Sequence, residues 1–339
     1  MLRILHNTNI DFIRWWRVAT GLLVVFLLPA LIWMGVSTAR TGYPFTMGLE
    51  FTGGTLVRVE FQSPPDISDV RSTIADAGIA DAEIQTFGSP REIAIRAQER
   101  QHATAEGVGE ESIANIAERA LQQKFGAGSF RIIQTEAIGA RVGDELSRNA
   151  LIALLISFAV SLLYLAVRFE WRFALAAVLA NMHDIIATFA FIRYANIEIT
   201  LFVVGGILTV IGYSLSDTVV VFDRVRELLR KGERAPLRET LNRSLNETLP
   251  RTVMTGTTVI ACLIALVLLG GDVLRPFALV LLFGIIVGTL SSIYVAAPLL
   301  LLIERKWPRH AGEQKGMARA VAAERREQEA QARQKAAAR

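Results

Sequence analysis

The sequence predicts an α-helical polytopic membrane protein, with six transmembrane helices and one small α+β domain between the first two. Three observations predict this fold class. Of the 339 residues 52% are hydrophobic, only 20% are charged, and the charged residues are gathered between long apolar stretches. A soluble domain usually carries about 25% charged residues. Because a peptide group finds no hydrogen-bonding partner in hydrocarbon, apolar stretches of membrane length must cross as helices.

Six stretches have the length to cross a bilayer, since a spanning helix needs about 20 mostly apolar residues. They are Val18–Val36, Asn149–Val167, Phe173–Tyr194, Leu201–Val221, Val253–Leu269 and Pro276–Ile303. The last stretch is long enough to tilt or to run past the membrane boundary. The first follows a polar start with several arginines and lacks a small-residue cleavage site, which favours an uncleaved anchor over a signal peptide.

The distribution of lysine and arginine predicts which side of the membrane each loop occupies. The loop 223–246 holds seven and the tail after Ile303 holds ten, whereas the short loops on the other side hold one each, Arg193 and Arg275. Both termini are therefore expected in the cytoplasm. The net charge of +4 comes from the basic loops and tail that set this orientation. We therefore do not take it as a sign of nucleic acid binding, and we expect no nucleic acid partner.

These counts give a predicted domain organisation. The predicted segments are a cytoplasmic N-terminus 1–17, transmembrane helix 18–36, an extracytoplasmic α+β domain 40–146, transmembrane helices two to six within 149–303, and a charged cytoplasmic tail 304–339. The basic tail could be attracted to anionic membrane lipids.

Within the extracytoplasmic segment the pattern changes from apolar runs to alternating and helical periods. Strands are predicted at Gly48–Gln62, Ala82–Phe87, Glu92–Ala97 and Phe130–Thr135. One helix is predicted to begin at a cap, Asp66 or Ser68, and to run through Ala77, and a second is predicted at Glu110–Phe125. The order strand-helix-strand-strand-helix-strand is the split βαβ arrangement of ferredoxin-like domains. Its only histidine, His102, stands in a polar loop without ligand partners, so we expect this domain to bind or move, not to catalyse.

Nothing in the sequence indicates an enzyme or a bound cofactor. Cys262 is the only cysteine and lies in an apolar run, which argues against a disulfide framework or a cysteine-based metal site. The stretch Gly48–Gly54 lacks the Lys-Ser/Thr of a phosphate-binding loop. No nucleophile, metal cluster or paired-carboxylate motif stands out.

Asp217 stands in Gly212–Val221, with apolar sequence on both sides and Ser216 beside it. Insertion scales put the cost of an ionisable group at helix-centre depth at roughly 2.5–3.5 kcal/mol, so such a residue is a functional candidate. The functional interpretation is a carboxylate that takes up and releases protons, because burial and a nearby cation act on it in opposite directions. The alternative is a helix-end aspartate that reaches the cytoplasmic interface near Asp223 and Arg224.

Arg251 opens the fifth predicted helix and is the cation expected to act with Asp217. The residues that follow it, among them Thr255, Gly256 and Thr258, suit close helix packing with interhelical hydrogen bonds. The alternative is an interfacial arginine whose side chain extends towards water. The sequence leaves open whether Asp217 and Arg251 face each other.

His183 and Asp184 form a second polar pair inside a predicted membrane helix. Adjacent residues do not share a helix face, so we expect each to contact a different neighbour. A structural role and a role in proton relay both remain open. No spacing typical of metal ligands accompanies them.

Taken together, these residues resemble the SecF family, the smaller membrane subunits of the bacterial SecDF complex that assists protein translocation. The resemblance runs from about Met1 to Pro308. The matching stretches are Gly48–Gly54, Ile138–Leu146, Arg168–Trp171, His183-Asp184, Ile211–Arg224, Arg251-Thr252 and Gly270-Gly271. The chain departs from the family pattern at Glu50, Ala140 and Ser216, where aspartate, proline and asparagine are usual.

The resemblance implies a fold and a function. The fold would be half of the core of a resistance-nodulation-division transporter, completed by six helices of a partner, SecD. Asp217 would take part in proton transit, and Arg251 would act with it. In the bacterial inner membrane, the proton gradient would then drive movements of the outer domain that help preproteins leave the Sec translocation channel.

Other classes of function remain open at this point. A proton-driven exporter of lipids or small molecules is one, although such pumps usually need twelve helices and two outer domains. A purely structural scaffold is another, and it predicts that Asp217→Asn is tolerated. His183, Asp184, Ser216, Thr255 and Thr258 are the supporting polar residues in the proton-coupling hypothesis.

Overall fold

The structure is a computed structural model that describes residues 8–79, 82–87, 89–97, 112–138, 140–231 and 235–308. His102, residues 1–7 and the tail after residue 308 lie outside these ranges, and so do the predictions that concern them.

The described helices and strands follow the predicted order. They are α1 (Trp16–Thr41), α2 (Leu49–Thr52), β1 (Gly54–Phe61), α3 (Ile67–Asp76), β2 (Glu83–Phe87), β3 (Ser89–Ala97), α4 (Ile113–Phe125), β4 (Phe130–Ile138), α5 (Ala140–Arg168), α6 (Trp171–Tyr194), α7 (Leu201–Arg230), α8 (Leu237–Leu269), α9 (Gly271–Ser291) and α10 (Ala297–Lys306). A π-helical turn, Ser292–Ala296, joins α9 to α10. Within the described ranges, six helices are long and apolar enough to cross a membrane, as predicted.

The chain divides into two compact units, and one of them, called the outer domain below, consists of Phe45–Leu154 and Glu198–Val204. Its four strands form an antiparallel sheet in the order β2-β3-β1-β4, which confirms the split βαβ arrangement. The alternating residues of β1 and β3 pack against α3 and α4, and Ile74 and Leu121 are fully buried there. Burying a side chain of this size contributes about 1.5–3 kcal/mol.

Both outer-domain helices begin at a polar cap. Asp66 accepts hydrogen bonds from the backbone N–H and the hydroxyl of Ser68, and these bonds hold the pKa of Asp66 below its usual value. Ser112 accepts from the N–H of Ala114 at the start of α4. Such caps satisfy backbone donors that have no partner within the helix.

The predicted first strand begins six residues too early. The structure forms the helical turn α2 at this place, and β1 starts only at Gly54. Gly53 and Gly54 have φ angles of 66° and 110°, a conformation that favours glycine, so the regular extended part of β1 follows them. At the other end of the sheet, β4 continues beyond Thr135 because Ala137 and Ile138 pair with the start of β1.

The second unit contains the membrane helices. Its larger apolar cluster joins residues of α6, α7, α8 and the last helix around Phe173 and Phe222. Two glycines allow α9 to approach α7 closely: a Cβ on Gly284 would overlap Val210, and one on Gly288 would lie 3.0 Å from Ser214 Cβ. Small residues at such contacts are typical of helix packing in membranes.

The predicted cytoplasmic loop 223–246 is largely helical, because α7 continues to Arg230 and α8 begins at Leu237. Asp11, ahead of α1, accepts hydrogen bonds from Asn242 and Arg238 of α8. The bond from Asn242 is the main cause that lowers the pKa of Asp11. These contacts fix the start of the first membrane helix to the extension of the fifth.

Candidate functional site

Asp217 joins three helical segments of the membrane unit. Its Oδ1 accepts a hydrogen bond of 2.8 Å from the hydroxyl of Thr252 on α8, and its Oδ2 accepts one of 2.7 Å from Ser292. Ser292 is 1% exposed and Thr252 5%. The carboxylate therefore has a hydroxyl partner on each oxygen, and both partners lie in apolar surroundings.

The π-helical turn places Ser292 at this carboxylate. One extra residue in the turn shifts the face that the following residues present, and such turns are frequent at functional sites. The hydroxyl of Ser292 also lies 2.8 Å from the carbonyl oxygen of Thr289, so its single proton can serve either acceptor. The hydroxyls of Thr289 and Ser291 have no partner among the residues that the structure describes.

Asp217 is separate from the ion pairs near the C-terminal end of α7. Asp223 accepts two hydrogen bonds of 2.8 Å from Arg168, and Arg224 binds Glu247. Six residues along a helix correspond to about 9 Å, which separates Asp217 from Asp223. Asp217, which the alternative interpretation placed near Asp223 and Arg224, takes no part in their ion pairs.

The structure does not bring Arg251 and Asp217 together. Arg251 is exposed, and among the described residues it forms no ion pair. Thr252, the next residue, faces Asp217 in its place. A step of one residue turns the side chain by about 100° around a helix, so both cannot point at the same carboxylate.

Three further predicted residues also lie on the exposed side of α7 and α8. They are Ser216, Thr255 and Thr258. Thr255 donates to the carbonyl of Arg251 and Thr258 to that of Met254, both at 2.9 Å. These hydroxyls satisfy carbonyls of their own helix, which is a common arrangement for threonine within a membrane helix.

His183 and Asp184 contact each other, so the expectation of separate neighbours was wrong. His183 Nδ1 lies 2.8 Å from Asp184 Oδ1, because the imidazole folds back onto the next residue. The other carboxylate oxygen of Asp184 accepts a hydrogen bond from Ser214 of α7. Asp184 is 1% exposed, and His183 Nε2 is buried without a partner in the described part of the chain.

Asp184 of α6 therefore contacts Ser214 of α7, about one helical turn before Asp217 on the same helix. Three hydroxyl residues that complete these contacts, Ser214, Thr252 and Ser292, were not among the predicted site residues. Ser214 and Thr252 stand inside the quoted motifs, and Ser292 belongs to a serine pair that interrupts the longest apolar run. The described residues contain no group of three or more histidines, cysteines or carboxylates that could hold a metal ion.

Comparison with known proteins identifies the family to which the chain belongs. Residues 117–306 match the family described as protein export membrane protein SecD/SecF, C-terminal, and residues 41–65 match the SecD/SecF GG motif. The protein translocase subunit SecF of Gemmatimonas aurantiaca is 51% identical over 310 residues, which cover 91% of this chain and 91% of that protein. The chain belongs to the SecF family. The SecF subunit of Vibrio alginolyticus is 41% identical over 86% of this chain and 89% of its own length.

Solved structures of SecDF share the fold. The crystal structure of SecDF from Thermus thermophilus, a translocon-associated membrane protein, superposes with a TM-score of 0.75 at 30% identity and covers 90% of this chain. SecDF in a super-membrane-facing form gives a TM-score of 0.62 at 31% identity over 89% of this chain. The chain spans 40% of each of these SecDF chains. The range that matches the SecD/SecF GG motif contains Gly53 and Gly54, where the outer-domain sheet begins.

Proposed function

We propose that this chain is an auxiliary subunit of a protein translocase, which uses the proton gradient to promote the movement of preproteins across the bacterial inner membrane. The observation that carries the proposal is the carboxylate of Asp217, placed between hydroxyls of α8 and the π-helical turn. Membership of the SecF family supports the role in protein export. The proposed proton coupling rests on the chemistry of Asp217 and its hydroxyl partners, and the proposed role of Arg251 rests on its exposed cationic side chain.

Protonation of Asp217 would change the contacts between helices. An ionised carboxylate only accepts hydrogen bonds, whereas a protonated one has an O–H that donates. With the carboxylate ionised, Thr252 and Ser292 both donate to it. After proton uptake, the new O–H needs an acceptor and the neutral carboxyl attracts the two hydroxyl donors less strongly, and Ser292 has the carbonyl of Thr289 as a second acceptor at 2.8 Å. Proton uptake and release would thus alter the packing of α7 against α8 and the last helix.

The exposed polar side of α7 and α8 fits a partner subunit. Arg251, Ser216, Thr255 and Thr258 are exposed at positions within or beside membrane helices. Such groups avoid lipid and usually face another helix or a water-filled cavity. We propose that the partner is SecD, because the similar solved chains are SecDF and this chain spans 40% of each of them. The basic group of Arg251 would act across that interface.

The topology and the other partners belong to the same proposal. Both termini would lie in the cytoplasm, and the outer domain would face the Sec translocation channel and the emerging preprotein. We assign no catalytic activity to the chain. A proton-driven exporter of lipids or small molecules is not favoured, since the relatives named above are protein translocase subunits.

The test is complementation in cells depleted of this protein, following export of a reporter that carries a signal peptide. Asp217→Asn should leave export at the level of depleted cells while the variant accumulates normally in the membrane. Asp223→Asn is the matched control, since it makes the same chemical change on the same helix at an exposed ion pair, and it should export almost normally. Full export with Asp217→Asn would contradict proton coupling through this residue and favour a structural scaffold.

A further inference from the structure

The loop between α6 and α7 is paired with the segment that enters the outer domain. Met47 and Ile199 form a parallel β-bridge. The N–H of Ile199 donates to the carbonyl of Thr46 at 2.9 Å, and the N–H of Gly48 donates to the carbonyl of Ile199 at 2.7 Å. The backbones approach so closely that a Cβ on Gly48 would lie 2.8 Å from the Ile199 carbonyl oxygen.

Arg96 of β3 binds both of the paired segments. One guanidinium nitrogen donates to the carbonyl of Met47 at 3.1 Å, and another binds the carboxylate of Glu198. The side chains are 13% and 26% exposed. Arginine suits the position because its planar group carries several donors in a fixed geometry, so one side chain can bind a carbonyl and a carboxylate together.

In the described part of the chain, Arg96 is the cation that pairs with Glu198. Burial raises the pKa of Glu198, whereas Arg96 lowers it, and the nearby carboxylates of Glu50 and Glu83 act in the same direction as burial. A carboxylate in such surroundings is stabilised in its charged form only while its arginine stays in place. The Arg96–Glu198 ion pair therefore fastens the loop to β3. In the described part of the outer domain, Glu198 forms an ion pair with no other residue.

We infer that Arg96 and Glu198 form a permanent link, which passes displacements of α7 to the sheet of the outer domain. The inference rests on the proposed function, because it takes movement of α7 at Asp217 as the source of the displacement. The loop has only the residues between Tyr194 and Leu201, and Glu198 lies three residues before α7. With the loop fastened to β3, a shift of the helix moves the sheet; with the loop free, the loop absorbs the shift. Arg96 and Glu198 are thus positioning residues.

The first test compares two neutralised glutamates in the full chain, expressed in place of the wild type. Glu198→Gln removes the charge from the link, and Glu92→Gln removes it from an ion pair of similar exposure, Arg58–Glu92, within the sheet (12% and 23%). We expect Glu198→Gln to slow export clearly at a normal membrane level, whereas Glu92→Gln exports as the wild type. Normal export with Glu198→Gln, or equal loss in both variants, would overturn the inference.

The second test restores the link by a covalent bond. Paired positions on neighbouring strands lie about 4.8 Å apart, within the Cα separations that a disulfide accepts, so Met47→Cys and Ile199→Cys should cross-link in a Cys262→Ala background. By itself, this disulfide should leave export intact. Combined with Glu198→Gln, it should restore export. If the cross-link blocks export, the link has to open during the cycle and the inference is wrong.

A third measurement separates this inference from the proposed function. Hydrogen exchange of peptides that contain Gly48 and Ile199 reports the link directly, and it should be faster in Glu198→Gln than in Glu92→Gln. Unchanged exchange would show that the ion pair does not hold the loop. Asp217→Asn is assayed in the same strain: normal export there counts against proton coupling, while the exchange result still decides whether the link exists.

Discussion

The hydrogen bond from Ser292 to Asp217 offers a direct test of the site geometry. Ser292→Ala removes the hydroxyl that lies 2.7 Å from Asp217 Oδ2 and leaves the 2.8 Å bond from Thr252 in place. A hydrogen bond to an ionised group contributes about 1.5–3 kcal/mol, and one between neutral groups about 0.5–1.5 kcal/mol. We expect the variant to lose about 1.5–3 kcal/mol of unfolding free energy while Asp217 is ionised, and less once acid has protonated it.

Ser291→Ala is the matched control for this prediction. Ser291 is adjacent and 3% exposed, and its hydroxyl has no partner in the described ranges. Removing an unsatisfied buried hydroxyl should leave stability unchanged or raise it slightly. The assay is denaturant unfolding of the purified chain in detergent micelles at neutral and acidic pH. Equal losses in the two variants would refute Ser292 as the partner of Asp217, and a loss independent of pH would refute titration of Asp217.

Three further predictions concern packing and capping. Gly284→Val should reduce the amount of folded protein in the membrane, because its side chain would overlap Val210 and overpacking costs about 1–3 kcal/mol; normal accumulation would argue against this helix contact. Leu121→Ala should destabilise the outer domain by about 2–5 kcal/mol because Leu121 is fully buried, and limited proteolysis should then cut this domain faster; unchanged cleavage would count against the core. Asp66→Asn should reduce the loss of stability as the pH falls below the usual Asp66 pKa of 3.8, because the depressed pKa confers stability that acid removes; unfolding curves at several pH values that run parallel to those of the wild type would contradict it.

The sequence was informative about the fold wherever one property dominates. Six long apolar runs leave no alternative to spanning helices, and alternation of apolar residues identified the outer-domain strands. The ends of elements depend on local geometry that hydropathy does not report. Gly53 and Gly54 take a backbone conformation that delays β1, and the charged extensions of α7 and α8 are stabilised by contacts such as Arg224–Glu247, which join residues far apart in the chain.

The candidate site was predictable only in part, for a related reason. A carboxylate in an apolar run is expensive and therefore conspicuous, so Asp217 and Asp184 could be singled out. A serine or threonine costs far less to bury, and Ser292 gains its importance only from the π-helical turn that aims it at α7. Arg251 was chosen for its charge, yet its neighbour Thr252 faces the carboxylate. The rotation of α8 about its axis decides which of these two residues faces the carboxylate, and sequence spacing alone does not give that rotation.

The central claim is that proton movement through Asp217 assists export, and proton-dependent translocation into inverted membrane vesicles tests it most directly. Vesicles with the wild type, Asp217→Asn or Asp223→Asn receive a preprotein and ATP, with the proton gradient intact or collapsed by an ionophore. The account predicts that the gradient accelerates translocation in the wild type and Asp223→Asn but not in Asp217→Asn. Equal acceleration in all three would contradict it.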